Sequence, residues 1–157
     1  MVFSADCTIW LLYDPVTRSI GAVHAGWRGT ALDLPAKAAA AMGRLFGARP
    51  EHIRAAVGAG IGPCCFETHD DVPEAMRAAF GPGVEAYIAP RDGKWTVDLK
   101  GINAWRLRES GIQAGHLDVC PLCTACRTDL YWSHRRSGDR RGVQGAVIGL
   151  APGGGCP

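Results

Sequence analysis

Two apolar runs near the start of the chain constrain its fold more than any other feature. "CTIWLLYD", residues 7–14, is apolar and partly β-branched, and it closes at Asp14-Pro15. "IGAVHAG", residues 20–26, is a second run of the same kind. Both read as buried strands. Six residues separate Tyr13 from Ile20, a link that suits an antiparallel hairpin. With Tyr13 facing Ile20, Ile9 faces His24, and Cys7 lies diagonal to His24 on the same sheet face. Diagonal cross-strand neighbours are about 7–8 Å apart, within reach of a shared ion or proton. A one-residue slip would undo this, because loop type sets the register.

The remaining pattern mixes helices and strands. Leu34, Ala38, Ala41 and Leu45 recur at helical spacing, with Pro35 in the first turn, Asp33 as the candidate cap and an end near Phe46. "IRAAVGAGIG", 53–62, reads as a strand running into a glycine-rich loop, and "DVPE", 71–74, opens a short helix to Phe80. "AYIAP" and "WTVDL" flank Asp92-Gly93, a hairpin signal. A helix follows from about Leu99 and stops at Gly111. "LYWSHRR" and "VQGAVIGL" are expected as the last two strands. Residues 1–150 form one α+β domain in this reading. Residues 151–157 are expected to be a flexible tail holding an inert Cys156.

The 157 residues are enough to bury a real core. A formal net charge of +2 is too mild to argue for a nucleic-acid partner. Arg135, Arg136, Arg140 and Arg141 form the one basic cluster and read as a solvated loop. No run of about eighteen apolar residues predicts a membrane span, and no signal peptide precedes the first strand. Seven cysteines, clustered rather than spread, argue for reduced thiols in a cytoplasm.

Cys7 and His24 have two chemical uses. They can pair as nucleophile and base, or they can be two ligands of a zinc that takes N and S donors. A buried thiol and a core histidine explain the same residues without any chemistry. Arg28, just before a helix, adds a guanidinium fork to the anion-holding groups of a helix N-terminus. A surface arginine stacked on Trp27 is the bland alternative. "GIGPCCFE", 60–67, carries adjacent Cys64 and Cys65, which are not expected to ligate one metal together. "CPLCTAC", 120–126, has C-x2-C-x2-C spacing but lacks the fourth cysteine of an iron–sulfur run, since Leu130 occupies that place.

"ADC" at 5–7, "VHAGWRGT" at 23–30, "GIGPCCFE" at 60–67, "DL…N" at 98–103 and "CT…YWSHRR" at 123–136 together resemble the YfiH-like family. This is the laccase-domain or polyphenol oxidase family, regarded as multifunctional purine nucleoside phosphorylases. The resemblance implies mixed β-sheets covered by helices, layered α/β/β/α, as in a cysteine-hydrolase toxin domain. It implies a zinc site of one Cys and two His, mapping onto Cys7 and His24, which would be both metal ligands and catalytic residues. The other histidine comes from an upstream "VHG"-like motif with no counterpart here, so the chain reads as N-terminally incomplete, with low zinc affinity and low activity. His69, Cys65 or His134 are the candidates to replace it; His134 stands where the family often has Tyr. An exposed sheet edge would then favour a homo-oligomer.

The implied substrates are purine nucleosides and phosphate: phosphorolysis of adenosine, inosine and methylthioadenosine, and deamination of adenosine. Arg28 is assigned to the phosphate by the anion-site physics. Three other functions fit the same residues: a metal-free Cys–His hydrolase, a copper-dependent polyphenol oxidase, and an inactive interaction module. Copper is the weaker metal, because several copper centres need more histidines than the chain has.

Overall fold

A computed structural model describes residues 1–151. A short strand, β1 (Val2–Ser4), leads into the hairpin of β2 (Thr8–Asp14) and β3 (Ser19–Ala25). The register is the one the two apolar runs predict, with Tyr13 facing Ile20 and Ile9 facing His24. Strand alternation then sorts the side chains. Trp10, Leu12 and Ala25 are fully buried on the inner face. Ile9, Leu11 and Tyr13 share the other face with Ala22 and His24.

Helices α1 (Trp27–Ala31) and α2 (Leu34–Phe46) follow, then β4 (Arg54–Val57) and β5 (Glu67–Thr68). Next come α3 (Asp71–Phe80), β6 (Ile88–Arg91), β7 (Lys94–Val97) and α4 (Leu99–Glu109). The last elements are β8 (Leu117–Val119), α5 (His134–Ser137) and β9 (Gln144–Ala146). The main sheet has the order β3-β2-β4-β8, with β8 parallel to β4 and the other pairs antiparallel. β1 pairs with β9, and β5, β7 and β6 form a small third sheet. This is the mixed α+β architecture expected from the sequence.

Two apolar cores meet at α4. Its Ala104 and Leu107 pack with Trp10, Leu12, Met42 and Ile53 under the main sheet. Its Leu99 and Ile102 pack with Val72, Met76, Val84 and Val97 in the second core. Each fully buried large side chain contributes roughly 1.5–3 kcal/mol, so α4 is the element that joins the two halves. Its start is fixed by Asp98, whose carboxylate accepts from the Gly101 N–H at 3.0 Å. The β6–β7 turn is as the sequence implies: Asp92 and Gly93 have φ of 47° and 74°, the left-handed pair of a type I′ turn.

Five expectations need correction or qualification. The buried stripe of α2 is Pro35, Ala36, Ala39 and Met42, while Leu45 is exposed; with alanines on every side, the periodicity could not single out a face. Asp33 occupies the cap position with φ 56° but makes no cap bond, and its carboxylate instead pairs with Arg106 of α4 at 3.0 Å. "LYWSHRR" is not a strand, because Ser133 caps α5 and accepts from the Arg136 N–H at 3.3 Å. Of "VQGAVIGL", only Gln144–Ala146 pairs in a sheet. The tail, with Cys156, lies outside the described residues except for Ala151, whose carbonyl accepts from Arg18 at 3.1 Å.

Candidate functional site

The site begins at a bend. Between β1 and β2 the chain turns at Asp6, which takes φ 80°, a conformation Asp tolerates better than most residues. The Asp6 carboxylate is buried and accepts three bonds: from Thr124 Oγ1 at 2.6 Å, Ser133 Oγ at 3.1 Å and the Arg135 N–H at 2.7 Å. Its carbonyl accepts from the Ile61 N–H at 2.8 Å. Three segments far apart in sequence are thus tied to the residue before Cys7. Sequence reasoning passed over Asp6. Its partners are the Thr of "CT" and the Ser of "SHRR", and nothing local in the sequence links them to it.

Cys7 sits half-buried where the bend ends, with Ser4 Oγ donating to its carbonyl at 2.7 Å. Its Sγ packs against Gly26 so closely that a Cβ there would lie 2.8 Å from the sulfur. Gly26 is two residues beyond His24, and i, i+2 residues of extended chain face the same side. His24 is exposed, and its Nδ1 lies 3.0 Å from the Phe3 carbonyl. A carbonyl only accepts, so Nδ1 carries the proton and Nε2 keeps its lone pair. That tautomer suits a metal-ligating or proton-accepting histidine. Burial and the neighbouring Asp6 push the Cys7 thiol above its ordinary pKa, with Arg141 offsetting them in part.

Arg28 lies inside α1 rather than ahead of a long helix. α1 has five residues, and α2 begins at Leu34. The helix contribution expected at Arg28 is therefore absent, and the guanidinium acts alone. It is exposed, stacks 4.2 Å over the Trp27 ring and has no carboxylate partner among the described residues.

None of the proposed replacements joins Cys7 and His24 in a three-donor group. His69 is exposed, and His134 Nδ1 accepts from Arg141 Nε at 3.3 Å. Cys65 belongs to another cluster. Among the described residues, the one group of three or more His, Cys, Asp or Glu donors is Cys64, Cys65, Cys123 and Cys126, with all ligand atoms within 4.8 Å of one another.

Two single helical turns build this sulfur cluster. The Cys65 and Phe66 N–H groups donate to the Gly62 carbonyl at 3.0 and 2.9 Å, and those of Cys126 and Arg127 donate to the Cys123 carbonyl at 3.2 and 3.0 Å. In such a turn, i and i+3 are neighbours, which brings Cys126 beside Cys123. Adjacent residues diverge by only about 100°, so Cys64 and Cys65 both reach the same point. The expectation that they could not share an ion assumed an extended chain. Sequence reasoning also sought the fourth sulfur downstream, whereas the second half of "CPLCTAC" meets the "CC" of the other loop and leaves Cys120 out. Burial tends to raise Cys123, but N–H groups from Gly62, Cys126 and Ala125 and the Cys64 thiol outweigh it and lower its pKa to about 7. Burial and the neighbouring thiols push Cys64 up to about 12.

Residues 1–151 match the family model described as multi-copper polyphenol oxidoreductase laccase. The purine nucleoside phosphorylase of Deinococcus radiodurans is 41% identical over 147 residues, which are 94% of this chain and 55% of that protein. Purine nucleoside phosphorylase YlmD of Bacillus subtilis is 32% identical, over 93% of this chain and 52% of the relative. The crystal structure of the Bacillus licheniformis hypothetical protein YfiH superposes with a TM-score of 0.81 at 36% identity, covering 85% of this chain and 51% of that one. The chain spans about half the length of these relatives.

Proposed function

The chain belongs to the multi-copper polyphenol oxidoreductase laccase family, and from that premise we propose that it acts on purine nucleosides. The reaction is phosphorolysis of adenosine, inosine or methylthioadenosine, with deamination of adenosine at the same place. Two relatives carry the name purine nucleoside phosphorylase. The observation that carries the reading is the His24 tautomer, fixed by the Phe3 carbonyl, beside a Cys7 sulfur seated on Gly26.

In phosphorolysis a phosphate oxygen bonds to ribose C1′ while the bond from C1′ to the purine nitrogen breaks. The purine leaves with the electron pair and takes a proton, and ribose 1-phosphate remains. Arg28, exposed and unpaired by carboxylate, holds the phosphate through its planar fork. The donor chemistry of Cys7 Sγ and His24 Nε2 fits zinc, which takes sulfur and imidazole ligands. These two supply two of the three protein ligands usual at a catalytic zinc. When bound there, zinc supplies Lewis acidity. In deamination, water adds at C6 of adenosine and ammonia leaves, giving inosine. His24 Nε2, when free of metal, is the group that accepts a proton. A metal-free Cys–His hydrolase is less well supported, because burial and Asp6 push the Cys7 thiol pKa up, the opposite of what activates a cysteine nucleophile.

The test measures zinc content and inosine phosphorolysis together, on this chain and on a version extended at its start by the histidine-bearing segment of a relative, with Cys7→Ser and His24→Ala. Both substitutions should remove the metal at this place and the activity. Phosphorolysis that survives both substitutions refutes Cys7 and His24 as the site, and no phosphorolysis by the unsubstituted protein refutes the reaction. Arg28→Ala should weaken phosphorolysis far more than deamination, and equal losses would assign Arg28 to the nucleoside or to the fold.

A further inference from the structure

We propose that Cys64, Cys65, Cys123 and Cys126 hold one zinc ion as a tetrathiolate, a structural site separate from Cys7 and His24 and independent of the phosphorylase reading. The geometry is the first ground. A tetrahedral zinc with sulfurs at about 2.3 Å places those sulfurs about 3.8 Å apart. Here Cys126 Sγ lies 3.6 Å from Cys64 Sγ and 3.4 Å from Cys65 Sγ, and all four sulfurs fall within 4.8 Å of one another. A multi-iron cluster has to fit between its cysteines and forces them further apart, so this spread suits a single ion. Four sulfurs in a tetrahedral array select zinc over the hard divalent ions.

The surroundings are the second ground. The Gly62 N–H donates to Cys123 Sγ at 3.2 Å, which orients that sulfur from outside the cluster. A zinc tetrathiolate has a net charge of about −2, and the loops supply cations to meet it. Arg91 Nη1 donates to the Cys64 carbonyl at 2.8 Å, and Arg136 Nε donates to the Ala125 carbonyl at 2.9 Å. Arg91, Arg135 and Arg136 line one cavity with Cys64, Cys65 and the single carboxylate of Glu67, which pairs with Lys94. None of the three has a carboxylate within ion-pair distance among the described residues. Lys100 is buried behind the other side of the cluster, where its Nζ donates to the Cys120 and Leu122 carbonyls at 2.7 and 2.9 Å.

The site would join two loops that no regular sheet ladder holds. An isolated bridge between Gly60 and Cys123, which includes the Thr124 N–H donating to the Gly60 carbonyl at 3.2 Å, and the Gly62 N–H on Cys123 Sγ are what link them. Zinc uptake exchanges thiol protons for metal–sulfur bonds, and the protons pass to solvent. Because Thr124 lies between Cys123 and Cys126 and bonds Asp6, the ion would also fix the bend that carries Cys7.

The test uses the reduced chain carrying Cys7→Ser and His24→Ala, which removes the other donor pair. Offered Zn2+ or Co2+, it should retain one equivalent through gel filtration. The Co2+ form should show the intense visible and sulfur charge-transfer absorption of a tetrahedral tetrathiolate. Adding Cys64→Ser or Cys126→Ser, both at exposed positions, should weaken binding at least a hundredfold, while Cys120→Ser leaves it unchanged. Circular dichroism on each metal-free variant separates lost binding from lost folding. Failure to retain stoichiometric metal, a Co2+ spectrum without sulfur charge transfer, or undiminished binding by folded Cys126→Ser would each overturn the proposal.

Discussion

Replacing Asp6 with Ala tests whether one buried carboxylate organises the whole face. The substitution strands three donors, from Thr124, Ser133 and the Arg135 backbone. Each unsatisfied buried donor costs about 1–3 kcal/mol. The two hydroxyls can rotate toward other acceptors, so they fall at the low end; the Arg135 N–H cannot. An alanine at the positive φ of this bend adds about 1 kcal/mol. The sum is about 4–6 kcal/mol, a large part of the roughly 5–15 kcal/mol available to a domain. Asp6→Gly removes the backbone strain but strands the same donors, so it should recover only about 1 kcal/mol. Asp6→Asn can turn its oxygen toward Ser133 and Arg135 and its amide toward the Thr124 hydroxyl, and should lose about 1–2 kcal/mol. Urea unfolding followed by tryptophan emission reads the series, since Trp10 is fully buried. Asp6→Ala should move the midpoint by on the order of 2 M. An Asp6→Ala chain within about 1 kcal/mol of wild type would show that the Thr124 and Ser133–Arg135 segments are held by something other than this carboxylate.

Gly26→Ala places a Cβ 2.8 Å from Cys7 Sγ, closer than the roughly 3.5–4.0 Å of ordinary contact. The sulfur must move, and zinc affinity at Cys7 and His24 should fall at least about tenfold, or 1.4 kcal/mol. Titration in a Cys126→Ser background, which removes the sulfur cluster, reads this site alone, and an unchanged affinity would place the metal elsewhere. Asp14 gives a pH test. Burial tends to raise its carboxyl pKa, but the Val16 and Thr17 N–H groups and the Thr17 hydroxyl hold it below the usual value. Its folded pKa is depressed, so its contribution is present above about pH 4 and is lost as pH falls through the folded value. Asp14→Asn should be less stable than wild type at neutral pH, with the gap closing in acid. A gap that widens in acid contradicts the assignment.

What was legible in the sequence was local. The β2–β3 register followed from two apolar runs and a short link, because a slip would have put Trp10 and Leu12 on the wrong face. Asp92-Gly93 was legible because turn chemistry acts over two to four residues, whereas the Asp98 cap of α4 came only with the structure. The missing parts depend on partners far away in the chain. Asp6 and Ser133 are 127 positions apart, and no periodicity links them. That long-range bond also explains why a strand-like "LYWSHRR" forms a helical turn: Ser133 and the Arg135 N–H are held by Asp6, which leaves the segment no ladder to join. The alanine-rich α2 failed differently. Its stripe was ambiguous in the sequence because small apolar residues surround the helix.

The family description speaks of copper, and the donors that gather among the described residues are thiols rather than histidines. The chain has five histidines, and the fold scatters them. His24 is on β3, His52 in the turn before β4, His69 ahead of α3, His116 before β8 and His134 at the start of α5. Copper centres of the oxidase type need histidines gathered around each ion, and no histidine joins a three-donor group among the described residues. The donors that do gather are four thiols, a set that favours zinc. His24 is the one histidine two residues from the glycine on which the Cys7 sulfur packs, which is why the mixed nitrogen–sulfur proposal rests on it. Its Nδ1 is already committed to the Phe3 carbonyl in β1, and β1 is in turn held by β9. Loosening that two-stranded pair should therefore free the ring, scramble its tautomer and weaken any metal bound at Nε2 before the main sheet is affected. Phe3→Pro would test it badly, since the carbonyl survives. Gly145→Val is the better probe, because the ideal Cβ at 145 already meets the Phe3 ring at 3.0 Å. It should lower zinc affinity at Cys7 and His24 while leaving the urea midpoint of the main core nearly unchanged. An affinity that stays put while the pair loosens would mean that Phe3 does not set the ring.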